Sequence, residues 1–140
     1  MLGTYVAERR IVSDRERIEA SLFEMADAFV VRDEHAVLDR ISPRQDELKA
    51  LVSWAFATVT AVSDLNLTDV SVQLLMEGSR ATTHFRANGR FDVAGFGDVG
   101  RKPTRWELTW QREGSDWKII RIRRLNPITG EEMDQRAARE

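Results

Sequence analysis

The apolar period changes once along this chain, and that change constrains its fold most strongly. Up to Thr60 the apolar residues recur at helical spacing; beyond it they alternate with polar residues at a period of two. Helical segments first and strands second predict an α+β domain, with helices covering one face of an antiparallel sheet.

In the first block, Ile18, Leu22, Met25 and Phe29 fall on one helical face, with Ala26 and Val30 beside them. This spacing predicts a helix from about Asp14 to Val31, with Ser13 and Glu16 as a capping box. Asp33 is placed to cap a second, short helix carrying Val37, Leu38 and Ile41. Ser42-Pro43-Arg44-Gln45 then predicts the start of a third, with Ser42 as N-cap, Pro43 at the first helical position and Gln45 closing the box. Its stripe is Leu48, Leu51, Val52, Ala55 and Phe56, and Trp54 falls to the side.

In the second block, Val70, Val72 and Leu74 define a strand, and Glu77-Gly78-Ser79 turns it into Ala81–Ala87. Asn88-Gly89 is a hairpin dipeptide, so Arg90–Phe96 either folds back as a short extra strand or bulges. Gly95 to Pro103 reads as a glycine-rich loop. A tryptophan hairpin follows: Arg105–Gln111, a Gly114-Ser115 turn, then Trp117–Ile122. The apolar parity slips in its second strand, which places a bulge near Ile119–Ile120. The reading is a single domain over 1–140, with a polar arm at 1–12 and a polar tail at 126–140.

Composition narrows the chemistry. The chain has no cysteine, which removes disulfides and thiolate chemistry, and only two histidines, far apart. The expectation is therefore no metal and no cofactor. A net charge of −2 offers no global field for nucleic acid or an anionic membrane, so neither is expected as a partner. No apolar run approaches the ~18 residues of a membrane span, and the N-terminus lacks the apolar core of a secretory signal, so a cytoplasmic location is expected. Gly95-Phe96-Gly97-Asp98-Val99-Gly100 matches the dinucleotide fingerprint literally, but Pro103 and a strand follow where a helix N-terminus is required. That loop is either a lid with Phe96 at its tip or a plain surface loop.

The order of elements (helix, Asp33-capped short helix, long helix, then strands ending in Trp106-Glu107-Leu108-Thr109-Trp110 and Trp117-Lys118-Ile119-Ile120) resembles the nuclear transport factor 2-like superfamily. The likeness covers about Ser13 to Leu125 and includes the SnoaL-like and ketosteroid-isomerase-like branches, with their cystatin-like fold. It implies three N-terminal helices on one face of a strongly curved antiparallel sheet of about four strands, shaped as a cone around a central pocket. It also implies homodimers formed through the outer sheet face. The superfamily hosts isomerases, dehydratases, hydrolases and non-catalytic binding proteins, so no single activity follows. Enzymes of the isomerase and polyketide-cyclase branches carry two short strands between the second and third helices, and their catalytic aspartate lies there. Here Ile41 runs straight into Ser42-Pro43, and no residue stands at that position.

His84 is the residue with most chemical interest, since alternation puts it on one face with Thr82 and Arg86. If that face lines the cone, His84 is a candidate general base, with Asp92 to orient it and Arg86 and Arg105 to stabilise an anion. The plainer reading is a half-exposed sheet histidine hydrogen-bonded to a neighbour. Candidate pocket residues are Phe29, Trp54, Arg86, Arg105, Trp106 and Trp110. The leading expectation is a small protein that binds an apolar or amphipathic ligand, or a dimeric accessory module, without self-sufficient catalysis. The alternative is a SnoaL-like isomerase, dehydratase or hydrolase using His84.

Overall fold

A computed structural model describes residues 2–133, with side chains from residue 14 onward. Three helices come first: α1 (Leu2–Val30), α2 (Glu34–Leu38) and α3 (Asp46–Thr58). Five strands follow: β1 (Val59–Leu75), β2 (Arg80–Val93), β3 (Gly97–Glu113), β4 (Asp116–Leu125) and the two-residue β5 (Glu132–Met133). They form one antiparallel sheet in the order β1-β2-β3-β4-β5, each strand beside its neighbour in sequence. The first strand begins at the position where the apolar period changes. The strand count exceeds the expected four because the chain after Asn126 folds back on itself: Asn126 accepts backbone N–H bonds from Ile128 and Thr129, and β5 then pairs with Arg124 and Leu125.

Two expected helix starts are corrected. Helix α1 begins at Leu2, so the segment expected as an arm is helical and Ser13 lies inside the helix rather than at its cap. Proline is absent from that segment, so nothing breaks the helix there. Helix α3 starts at Asp46, after an N-cap Gln45 that makes no side-chain capping bond. Ser42 is drawn elsewhere: it is buried, its backbone N–H donates to Ile119 O, and its hydroxyl donates to Glu113 at 2.7 Å. Asp33 does cap α2, accepting from the Ala36 N–H at 3.1 Å. Between α2 and α3 a single isolated bridge, Ile41 to Ile119, replaces any strand pair.

The C-terminal end of α3 is finished by a residue from another element. Arg32 donates to the carbonyls of Phe56 and Val59, and its guanidinium lies 4.8 Å from the Phe56 ring centroid. A cation on the last carbonyls of a helix satisfies orphan acceptors and the negative end of its dipole.

The strands are longer and more bent than their sequence pattern predicts. β1 has register breaks between Ser63 and Asn66 and between Thr68 and Ser71, with Asp64 (φ 51°) and Asp69 (φ 52°) in left-handed conformation inside them. Aspartate tolerates that conformation, and each extra residue bends and twists a strand. Asn88-Gly89 makes no turn; β2 runs through it to Val93. Gly89 is needed for packing instead, because a Cβ there would lie 3.1 Å from Leu65 Cδ1 and 3.3 Å from its Cα. The glycine-rich segment is strand from Gly97 onward, leaving only a tight turn before it. The expected bulge in β4 is present, since Thr109 pairs with Arg121 but Trp110 with Ile119.

The helices cover one face of the sheet. Ile18 and Leu22 of α1, Val37 of α2, and Val52 and Phe56 of α3 form one core with Ala81, Phe85, Leu108, Trp110, Trp117 and Ile119. No helix among the described residues is long and apolar enough to cross a membrane.

Candidate functional site

The register across β2, β3 and β4 lays the helix-facing residues out in rows. The first row is Ala81–Trp110–Ile119, the second Thr83–Leu108–Ile122, the third Phe85–Trp106–Arg124. Burial falls along this series. All three residues of the first row are 0% exposed, and Trp110 Nε1 donates to Thr83 Oγ1 at 3.1 Å. In the second row Ile122 is only half-buried, and in the third both Trp106 and Arg124 are. The layer between helices and sheet is thus packed solid at one end and reaches solvent at the other.

The third row combines apolar surface with an unanswered donor. Trp106 donates its indole N–H to Thr104 Oγ1 at 2.8 Å, and Thr104 donates to Ala87 O at 2.9 Å. The indole is thereby fixed and its polar atom satisfied, so it presents an apolar wall. Beside it, the Nε of Arg124 is buried without a hydrogen-bond partner. Among the described residues Arg124 forms no ion pair. An arginine held on the apolar side of a sheet with no carboxylate opposite is costly unless something else accepts its protons. The alternation of β4 carries the signal for this residue in the sequence, but the Ile119–Ile120 bulge must be placed correctly before Arg124 can be assigned to the helix side.

The residues singled out from sequence divide between the two faces. Phe29 packs edge-on against Phe56, with ring centroids 4.9 Å apart, and Trp54 is half-buried on α3. Trp106 and Trp110 face the helices. His84 and Arg86 do share one face, as alternation requires, and the register sets Arg105 opposite Arg86 on it, but it is the outer face, opposite Thr83, Phe85 and the core. The expectation that this face lines the cone is therefore corrected: Ala81, Thr83, Phe85 and Ala87 take the buried positions, which leaves the even-numbered residues of β2 outside. Arg86 meets Asp69 at 3.4 Å. Asp92 lies eight residues further along β2, about 26 Å away at the rise of a strand, too far to orient His84.

On that outer face His84 belongs to an ionic group. Its Nε2 is 2.6 Å from Glu107 Oε2, Arg123 donates to Glu107 Oε1 at 2.8 Å, and the Nε of Arg123 donates to Glu132 at 3.2 Å. Burial by itself would raise the Glu107 carboxyl, but hydrogen bonds and charge from Arg123 and His84 outweigh it and hold the group below its ordinary range. The same Glu107 contact raises Arg123. This is the plainer reading of His84, a sheet histidine bonded to its cross-strand neighbour.

No family model matches the sequence, and no curated protein does. Solved structures do. An uncharacterised cystatin-like-fold protein from Caulobacter vibrioides aligns with TM-score 0.65 at 11% identity, over 89% of this chain and 92% of that one. A protein from Novosphingobium aromaticivorans with the provisional name scytalone dehydratase aligns with TM-score 0.62 at 14% identity, over 90% and 89%. A protein from Xanthomonas campestris pv. campestris, provisionally named a polyketide cyclase, gives 0.51 at 14% identity, over 78% and 89%. At these identities the likeness is one of fold. The chain has a cystatin-like α+β fold, helices before the sheet, which is the architecture its sequence order implies.

Proposed function

We propose that this chain binds a small amphipathic anion in the cone between its helices and the helix-facing side of the sheet. The apolar part of the ligand lies against Phe85, Trp106 and Ile122, and its anionic end meets Arg124. The observation that carries this reading is the buried, unpartnered Nε of Arg124 at the row where the packed layer reaches solvent. An oxyanion would satisfy that donor, and the fixed indole of Trp106 would cover the adjoining apolar surface. Small-molecule sites commonly pair an apolar lining with a few placed polar groups in this way.

Catalysis is the rival reading, because the neighbours include proteins named for a dehydratase and a polyketide cyclase. It lacks the base that the sequence offered, since His84 is turned to the other face. The segment between α2 and α3 also carries only the Ile41 bridge.

Calorimetric titration with 1-naphthoate, and with 1-naphthalenemethanol as its uncharged counterpart, tests the proposal. Naphthoate is expected to bind more tightly than the alcohol, and Arg124→Gln to weaken naphthoate by about tenfold or more while leaving the alcohol unchanged. Equal affinity of wild type and Arg124→Gln for naphthoate would count against it, as would no binding of either compound.

A further inference from the structure

We infer that a second ligand site, for a carboxylate or phosphate group, lies in the cleft where α1 and α2 meet the start of β4. This cleft has a volume of about 410 Å3 and is walled by Arg17 and Ser21 of α1, Arg40 after α2, and Asp116, Trp117 and Lys118 of β4. It is a different place from the Arg124 row: Trp117 and Arg124 stand seven residues apart on β4, about 23 Å at strand rise.

The chemistry of the wall is a surplus of donors. Trp117 is 4% exposed, and its indole Nε1 is buried with no hydrogen-bond partner. The Arg112 guanidinium lies 4.9 Å from the Trp117 ring centroid, so a face of that ring is already taken. What the ring has left to offer is its N–H, and indole nitrogen only donates. Lys118 uses one of its three protons, on Asp39 O at 2.6 Å. Arg17 donates to Ser115 O and pairs with Asp14 at 3.9 Å, and Arg40 donates to Ser21 Oγ at 3.1 Å and to Glu24 at 2.6 Å, each with further N–H groups to spare. Ser21 accepts from Arg40, which leaves its hydroxyl proton available.

Glu24, Asp39 and Asp116 also line the cleft and balance its three cations, so the surplus is one of N–H donors rather than of net positive charge. The side chains of Glu24 and Asp39 are 62% and 65% exposed, against 34% for Arg40 and 46% for Arg17, so the acids stand further into water than the guanidiniums. A ligand oxyanion can accept from several such donors at once, and charge-assisted bonds of this kind are about twice as strong as neutral ones. A sugar would need a free stacking face, which Trp117 does not present.

The test reads the Trp117 indole N–H directly in 1H–15N spectra, assigned by its disappearance in Trp117→Phe. Inorganic phosphate, sodium acetate and sodium chloride are titrated at matched ionic strength. The expected result is a saturable shift of that resonance with phosphate or acetate but not with chloride, and the stronger of the two identifies the preferred group. Arg17→Gln combined with Lys118→Gln should weaken the response about tenfold or more; if the double variant does not fold, Lys118→Gln alone should weaken it severalfold. An indole resonance that stays still, that follows chloride equally, or that titrates unchanged in the folded variant would overturn the inference.

Discussion

Glu107 and Arg32 show how single side chains in this fold answer two partners at once. Glu107 accepts from Arg123 on one side and contacts His84 on the other, and its carboxyl is held below the ordinary 4.5. A carboxylate with a depressed folded-state pKa adds stability above its unfolded value, and that stability is lost as pH falls through the folded one. Glu107→Gln should therefore cost about 1 kcal/mol at pH 7. The gap between variant and wild type should close as the pH drops below 4.5 and on through the lowered folded value. Urea unfolding at a series of pH values measures it, and a gap that persists in acid would contradict the assignment. Arg32 is a different case, because it sits at φ 66° while capping α3. Arg32→Ala loses the cap and the Phe56 contact but keeps the strained backbone, and should destabilise by about 2 kcal/mol. Arg32→Gly loses the same contacts but relieves the backbone, and should cost about 1 kcal/mol less. Thermal unfolding of the pair decides whether the order is as stated.

At the level of elements, the sequence announces what depends on local period and hides what depends on tertiary partners. The stripe through Ile18, Leu22 and Phe29 and the parity slip at Ile119–Ile120 are local, and both are found where the residues place them. Ser42 has the chemistry of an N-cap, yet Glu113, distant in sequence, takes its hydroxyl and the helix starts later. Asn88-Gly89 has the chemistry of a turn, yet Leu65 on the neighbouring strand needs a residue without a side chain beside it. In both cases a long-range contact overrides a short-range preference. Any residue with a Cβ at position 89 crowds Leu65, so Gly89→Val should destabilise by about 1–3 kcal/mol and lower Tm by roughly 3–10 °C. An unchanged Tm would mean that the β1–β2 pair tolerates a side chain there.

For the molecule as a whole, the face to which each strand residue turns decides more than its identity. His84 and Arg86 were legible as a pair from alternation, but one strand by itself does not say which face its helices will cover. That is settled by the apolar partners: Ala81, Thr83, Phe85 and Ala87 are small or apolar and go inward, so the histidine goes out. Arg124 was harder to find, because the bulge at Ile119–Ile120 reverses the parity that would assign it. Helix α1 is tied to the sheet at the closed end, where buried Asp14 pairs with Arg112 and Arg112 also donates to Gly78 O. Exposure then rises along the rows toward Trp106 and Arg124. The proposal depends on that end being where a ligand enters. Mapping 1H–15N shifts with saturating 1-naphthoate tests this most directly. The account predicts that the shifted signals cluster at Phe85, Trp106, Ile122 and Arg124; shifts confined to the outer-face residues around His84, or scattered over the surface, would contradict it.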